Sequence, residues 1–141
     1  MKTVIDSFRG EYRWLSNFYP YQIEYEGEEY PSVENAYQAA KTDDLQVRQL
    51  FLRISAKEAK ALGKKVKMAN GWEMKKLSVM RKLLRKKFAP GTELHRKLLA
   101  TGNAELVEGN FWHDYFWGVC NGKGENWLGR ILMELRGDTK E

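Results

Sequence analysis

Pro31-Ser32 is a sharp boundary, and the segment after it constrains the fold more than any other. Proline closes a strand ladder and serine opens a helix. Val33-Glu34-Asn35-Ala36-Tyr37-Gln38-Ala39-Ala40-Lys41 then continues without a breaker. At about 100° per residue, Gln38 lies roughly 40° from Glu34 around the axis, and Lys41 roughly 20° away on the other side. Val33, Ala36, Tyr37 and Ala40 fill the opposite and flanking sides. The result is a short helix with an apolar side and a narrow stripe of carboxylate, amide and amine. Glu34 and Lys41 stand roughly 10 Å apart along the axis, too far for an ordinary surface pair at i,i+4. Two readings fit: a solvated helix face, or a face that holds a ligand between the two charges.

The rest of the chain reads as a mainly helical α+β domain. Residues 3–8 alternate weakly and suit a short strand. Residues 9–20 carry Gly10, Asn17 and Pro20 among aromatics and suit an ordered loop. Tyr21–Tyr25 and Glu28–Tyr30 flank Glu26-Gly27 as a hairpin. Past the helix at Ser32, four further helices are expected before residue 101. One covers 44–53, capped by Asp43 or Asp44, with Leu45, Leu50, Phe51 and Ile54 on one side. Ser55 and Glu58 form a capping box for Ala56–Leu62, which stops at Gly63. Residues 71–88 carry Leu77, Met80, Leu84 and Phe88 at helical spacing, and Thr92 caps Glu93–Ala100. Residues 103–125 read as irregular with a short strand at Glu105–Glu108, and Trp127–Leu135 forms a last helix. The expected fold is a single compact domain over residues 1–141, predominantly α-helical, with a small N-terminal antiparallel β element.

A chain of 141 residues buries about two thirds of its unfolded surface without disulfides or metals. No apolar run is long enough to span a membrane. Met1–Asp6 lacks an apolar signal region, and Cys120 is the single cysteine, so the cytoplasm is the expected location. Charge is unevenly placed. Residues 48–98 hold 16 Lys or Arg against Glu58, Glu73 and Glu93, a net +13, while the remainder holds 8 against 16, a net −8, giving +5 in total. A basic middle suits an anionic partner, phosphate or nucleic acid, or else solvated helix faces.

The histidines His95 and His113 and the lone Cys120 have no metal-ligand spacing, and no phosphate-loop or nucleophile-elbow motif is present. No metal or cofactor is called for. Three polar and aromatic clusters remain: Leu15–Tyr19, the Glu34/Gln38/Lys41 stripe, and Asp114–Gly118 with Asn126–Gly129. Such groups suit a ligand with a flat base and a sugar. Cleaving an N-glycosidic bond requires stabilising an oxocarbenium-like sugar and protonating the departing base, and carboxyl groups can do both. A buried lysine with a depressed pKa can instead trap the sugar C1 as an imine. The structural alternative for the third cluster is that Trp117 and Trp127 are core and Asp114 forms a turn.

In their order these motifs resemble the NADAR superfamily of YbiA-like proteins. The resemblance runs from Phe8 to Arg136 through Leu15-Ser16-Asn17-Phe18-Tyr19, Tyr30-Pro31-Ser32-Val33-Glu34, Tyr37-Gln38-Ala39, Lys41, Trp72, Leu106-Val107-Glu108, Asp114, Trp117-Gly118, Asn126 and Leu128-Gly129. It implies a YbiA-like fold and an N-glycosidase or ADP-ribosyl hydrolase. The implied substrates are ADP-ribose on guanine bases of DNA or RNA, slightly favoured, or phosphorylated ribosylamino-pyrimidine intermediates of riboflavin synthesis. A non-catalytic module binding ADP-ribose or nucleic acid is the alternative outside the enzyme class. The resemblance places Lys41 and Glu34 at the catalytic centre, for imine formation and proton transfer, with Asp114 as a further polar group. Asn17, Phe18, Tyr37, Gln38, Trp72, Trp117, Gly118 and Asn126 are the implied substrate-binding residues. Asn35, His113 and Cys120 depart from the family pattern of His, Asn and a small residue, and bear on base or phosphate contacts.

Overall fold

The computed structural model describes residues 3–138; the ends of the 1–141 expectation lie outside the described residues. The chain forms two compact units. Residues 17–87 make one, and the segments before Asn17 and after Lys87 make the other.

The unit of residues 17–87 begins with a hairpin, β2 (Ile23–Tyr25) antiparallel to β3 (Glu28–Tyr30), in the register Ile23 opposite Tyr30. Its turn is Glu26-Gly27, with φ of 47° and 92°; two successive positive φ values match the strands' twist. After Pro31 comes α1 (Val33–Ala40), with the Ser32 hydroxyl accepting the Asn35 N–H at 3.1 Å. Three more helices follow: α2 (Leu45–Gln49), α3 (Ala56–Gly63) and α4 (Trp72–Lys87). All three, with both strands, pack against α1. Every residue of α1 is buried as a result, the polar ones included. The solvated reading therefore fails for Glu34 and Gln38, while Lys41, just past the helix, is partly buried.

Burying polar groups requires partners for them. Asn35 is fully buried and satisfied on three sides: it donates to the Phe51 and Ile54 carbonyls at 3.0 and 2.9 Å and accepts from the Ser32 hydroxyl at 2.5 Å. The side chain fastens the start of α1 to the chain leaving α2. Gly63 closes the other end. A Cβ at Gly63 would run into the Gln38 amide, so glycine is what lets α3 lie directly on α1.

Two expectations for 44–53 fail. The helix covers only Leu45–Gln49, and Leu45 and Leu50 are exposed while Phe51 alone is fully buried. The inward position on α2 belongs to Arg48. Its Nε donates to the Thr42 carbonyl and its Nη1 to Glu26, both at 2.7 Å. Those charge-assisted bonds outweigh turning two leucines inward. Asp44, not Asp43, caps the helix.

In the other unit, β1 (Val4–Ile5) is shorter than the expected 3–8 and pairs in parallel with β4 (Glu105–Leu106). Part of the expected 9–20 loop is a 3-10 segment, Gly10–Leu15, burying Trp14 and Leu15. Phe88, expected on the long helix, follows its end and packs edge-on against Trp14 at 6.3 Å. Helix α5 (Glu93–Ala100) is capped by Thr92, and α6 (Trp127–Arg136) packs on β4 and α5. A second parallel pair, β5 (Gly109–Asn110) with β6 (Val119–Cys120), was not anticipated. Two residues are too few to show alternation in sequence. The α+β class and its small antiparallel element stand as expected.

Asn35→Ala removes three buried side-chain bonds and is expected to destabilise the protein by about 2–4 kcal/mol. A urea melt with a lowered midpoint and unchanged slope fits this; an unmoved midpoint contradicts it.

Candidate functional site

Within residues 17–87, the polar stripe of α1 is built around Glu34. Its backbone N–H donates to the Asn17 carbonyl at 3.0 Å, and its Oε2 accepts from the Gln38 amide at 2.6 Å. Glu34 is 8% exposed and Gln38 5%. Asn17 is equally enclosed, its amide donating to the Met80 sulfur at 3.5 Å. Two buried oxygens beside this carboxylate, Asn17 Oδ1 and Gln38 Oε1, have no hydrogen-bond partner. Native interiors seldom leave acceptors so, and those that do often mark sites awaiting a donor.

Lys41 caps the C-terminal end of α1, where its carbonyl accepts the Ala69 N–H at 2.7 Å. Its amine lies 5.8 Å from the centre of the Tyr37 ring, and that ring lies 5.4 Å from Trp72. Burial pushes the Lys41 pKa below the ordinary lysine range. The Glu34 carboxylate opposes that shift and the Lys76 ammonium adds to it. The structure thus gathers Glu34, Tyr37, Gln38, Lys41, Trp72 and Asn17 in one unit. Phe18 follows Asn17 with its ring 39% exposed.

Asp114, Trp117, Gly118 and Asn126 belong to the other unit. There, Asp114 Oδ1 accepts the Phe116 and Trp117 N–H groups at 3.1 and 2.9 Å, a turn-forming use of the carboxylate. Asn126 adopts a left-handed conformation; its side chain accepts from the Glu108 N–H and donates to the Leu106 carbonyl, both at 2.9 Å. Gly118 leaves room for the Glu108 carboxylate and the Asn110 amide, which a Cβ would strike. Trp117 is half-buried, its ring edge-on to Phe116 at 4.8 Å.

Three features escaped the sequence reading. Asn35 reads as a departure from a family pattern, and it is a structural fastener. Glu108 accepts from the Asn110 amide at 3.0 Å beside the Asp114 turn. Lys87 is fully enclosed, its amine 5.5 Å from the Tyr19 ring centre, and burial pushes its pKa down to about 7. The signal for Lys87 was its place on the Met80/Leu84 stripe, one turn beyond Leu84.

The NADAR domain model matches residues 6–139. The chain belongs to the NADAR family. N-glycosidase YbiA of Escherichia coli (strain K12) is 40% identical over 140 residues, covering 95% of this chain and 87% of YbiA. The riboflavin biosynthesis protein VVA0006 of Vibrio vulnificus (strain YJ016) is 40% identical over 132 residues, 91% of this chain. This chain spans only 36% of that protein's length. The NMR structure of E. coli YbiA superposes with a TM-score of 0.83 at 38% identity, covering 96% of this chain and 84% of that one. No helix among the described residues is long and apolar enough to cross a membrane.

The buried Lys87 makes folding pH-dependent. Between about 7 and the ordinary lysine value of about 10.4, the unfolded chain holds a proton that the folded chain has shed. Stability from this group therefore rises with pH across that window and is flat below it. Lys87→Met is expected to stabilise the protein more at pH 7 than at pH 10, by urea melts at both. Equal shifts at the two pH values contradict the assignment.

Proposed function

We propose that this chain hydrolyses ribosyl C1–N bonds, removing ADP-ribose from guanine bases of DNA or RNA. The observation that carries the reading is α1: a buried carboxylate and a pKa-depressed amine on one stripe, beside two buried acceptors without partners. Its kinship with proteins named N-glycosidase supports the reaction class. The basic segment 48–98 supports an anionic, nucleic-acid-linked substrate.

In the reaction, the neutral Lys41 amine attacks the sugar C1 as the C1–N bond to the base breaks. Glu34, in its protonated form, gives a proton to the departing base nitrogen. The resulting ammonium returns a proton to the Glu34 carboxylate, which delivers it to the ring oxygen as the C1–O bond breaks, leaving a protonated imine between Lys41 and C1. Water then adds to C1, the C–N bond to lysine breaks, and the free sugar nucleotide leaves with the amine restored. Asn17 Oδ1 accepts from a sugar hydroxyl or a base N–H group, and the Tyr37 ring, packed on Trp72, lies beside the Lys41 amine. The parts taken by Asp114, Trp117, Gly118 and Asn126 rest on the family resemblance alone.

A second substrate reading, phosphorylated ribosylamino-pyrimidines, is favoured by the relatives named as riboflavin biosynthesis proteins. A substrate panel separates the two. Release of ADP-ribose from modified guanine DNA supports the first; release of ribose phosphate from the pyrimidine alone supports the second. Binding to either without release identifies a non-catalytic module. Glu34→Ala is expected to lower kcat at least 100-fold on the preferred substrate; full activity in that variant removes Glu34 from the mechanism.

Borohydride reduction during turnover is expected to fix the sugar to Lys41, detected by peptide mass. Attack requires the neutral amine and departure of the base requires protonated Glu34, so the rate of trapping passes through a maximum with pH and falls on both sides of it. No adduct, together with full activity in Lys41→Ala, removes the imine step.

A further inference from the structure

A groove of about 350 Å³ in the unit of residues 17–87 is lined by Phe18, Pro20, Pro31, Ile54, Ala56 and Lys57, with Asn35 at its floor. Two of its lining residues are chain neighbours of site residues. Phe18 follows Asn17, whose carbonyl holds the Glu34 N–H at 3.0 Å, and Asn35 follows Glu34. The volume is that of a site for a nucleoside-sized ligand. The walls are largely apolar, with Ser32 and Ser55 among them, and the partly exposed Phe18 ring offers a stacking face. Cations stand on one side only: Lys57 is exposed on the first turn of α3, and the Lys60 amine lies 5.9 Å from the centre of the Phe18 ring. The acid between them in sequence, Glu58, is turned back onto the Ser55 N–H at 3.0 Å as half of a capping box. An aromatic ring, prolines, one lining amine and a second amine beside the ring complement a base with its phosphate.

We propose that this groove holds the nucleotide flanking the modified guanosine in a single-stranded nucleic acid, its base stacked on Phe18 and its phosphate facing Lys57 and Lys60. The choice of reacting nucleotide rests on the glycosidase reading above; the binding of a single strand does not. The groove makes a polynucleotide a better substrate than the same modified guanosine in isolation. A free ribosylamino-pyrimidine phosphate gains nothing from it.

The experiment uses the full chain and the double variant Lys57→Ala/Lys60→Ala, in which alanine suits the helix. The first measurement compares kcat/KM on a short single-stranded oligonucleotide carrying ADP-ribosylguanine with that on free ADP-ribosylguanosine. The ratio is expected to fall roughly ten-fold in the variant. The second is fluorescence anisotropy with an unmodified single-stranded hexanucleotide across a salt series. Loss of this one phosphate contact lowers the magnitude of the log K against log[salt] slope by about 0.7. Phe18→Leu is expected to weaken hexanucleotide binding roughly ten-fold at fixed salt through lost stacking. An unchanged ratio, or an unchanged slope with unchanged Phe18→Leu affinity, overturns the proposal. If wild-type protein releases sugar from neither substrate, the glycosidase reading fails, and the anisotropy series alone decides the groove.

Discussion

The burial of the Glu34 carboxylate is the constraint on which the rest of the unit from 17 to 87 turns. A carboxylate taken from water needs donors, and the Gln38 amide supplies one here. Gln38 gives its amide to Glu34 at 2.6 Å, and the Glu34 backbone is fixed through the Asn17 carbonyl. Gln38 in turn needs space, which Gly63 provides by lacking a side chain. The start of the same helix is pinned by Asn35 to the carbonyls that follow α2. Helix α1 is therefore held at both ends by polar contacts while its apolar residues fill the core between them. Such a helix presents its stripe with little freedom, and fixed geometry is what a reactive pair needs.

Lys41 sits at the last turn of this arrangement, under two opposed influences. Burial lowers its affinity for a proton, and the nearby Glu34 charge restores part of it. On the proposed mechanism Glu34 is the acid, and once it is protonated that opposition disappears and the neutral amine is favoured further. In that proposal the same carboxylate links the proton delivered to a leaving base with the readiness of the lysine amine. Lys87 carries the stronger depression, yet its full enclosure keeps it from a sugar carbon. It bears on stability.

Much of this was readable in the chain. Ser32, Ser55 and Thr92 marked helix starts because each places an oxygen against amides that have no other partner. The Glu26-Gly27 turn and the span of α5 followed from equally local rules. What the sequence hid depended on neighbours distant in the chain. Nothing local says that α1 is covered on all sides, since its stripe has the composition of a wet surface. Arg48 displaced two leucines from the inward face of α2 because Thr42 and Glu26 were there to receive it. Asn126 reads as a plausible ligand contact, and both ends of its amide are engaged with Glu108 and Leu106. Helical geometry put Glu34 and Gln38 on one stripe, where they hydrogen-bond at 2.6 Å, whereas Asp114 and Asn126 were named through kinship alone.

The central claim is electrostatic, and it is best tested at the lysine itself. A pH titration of the Lys41 side-chain nitrogen by NMR, in the unliganded protein and in Glu34→Gln, reads the two opposed influences directly. A midpoint below about 10.4, falling further when the carboxylate is replaced, is the expected result. A midpoint at or above the free-lysine value, unmoved by the substitution, contradicts the account.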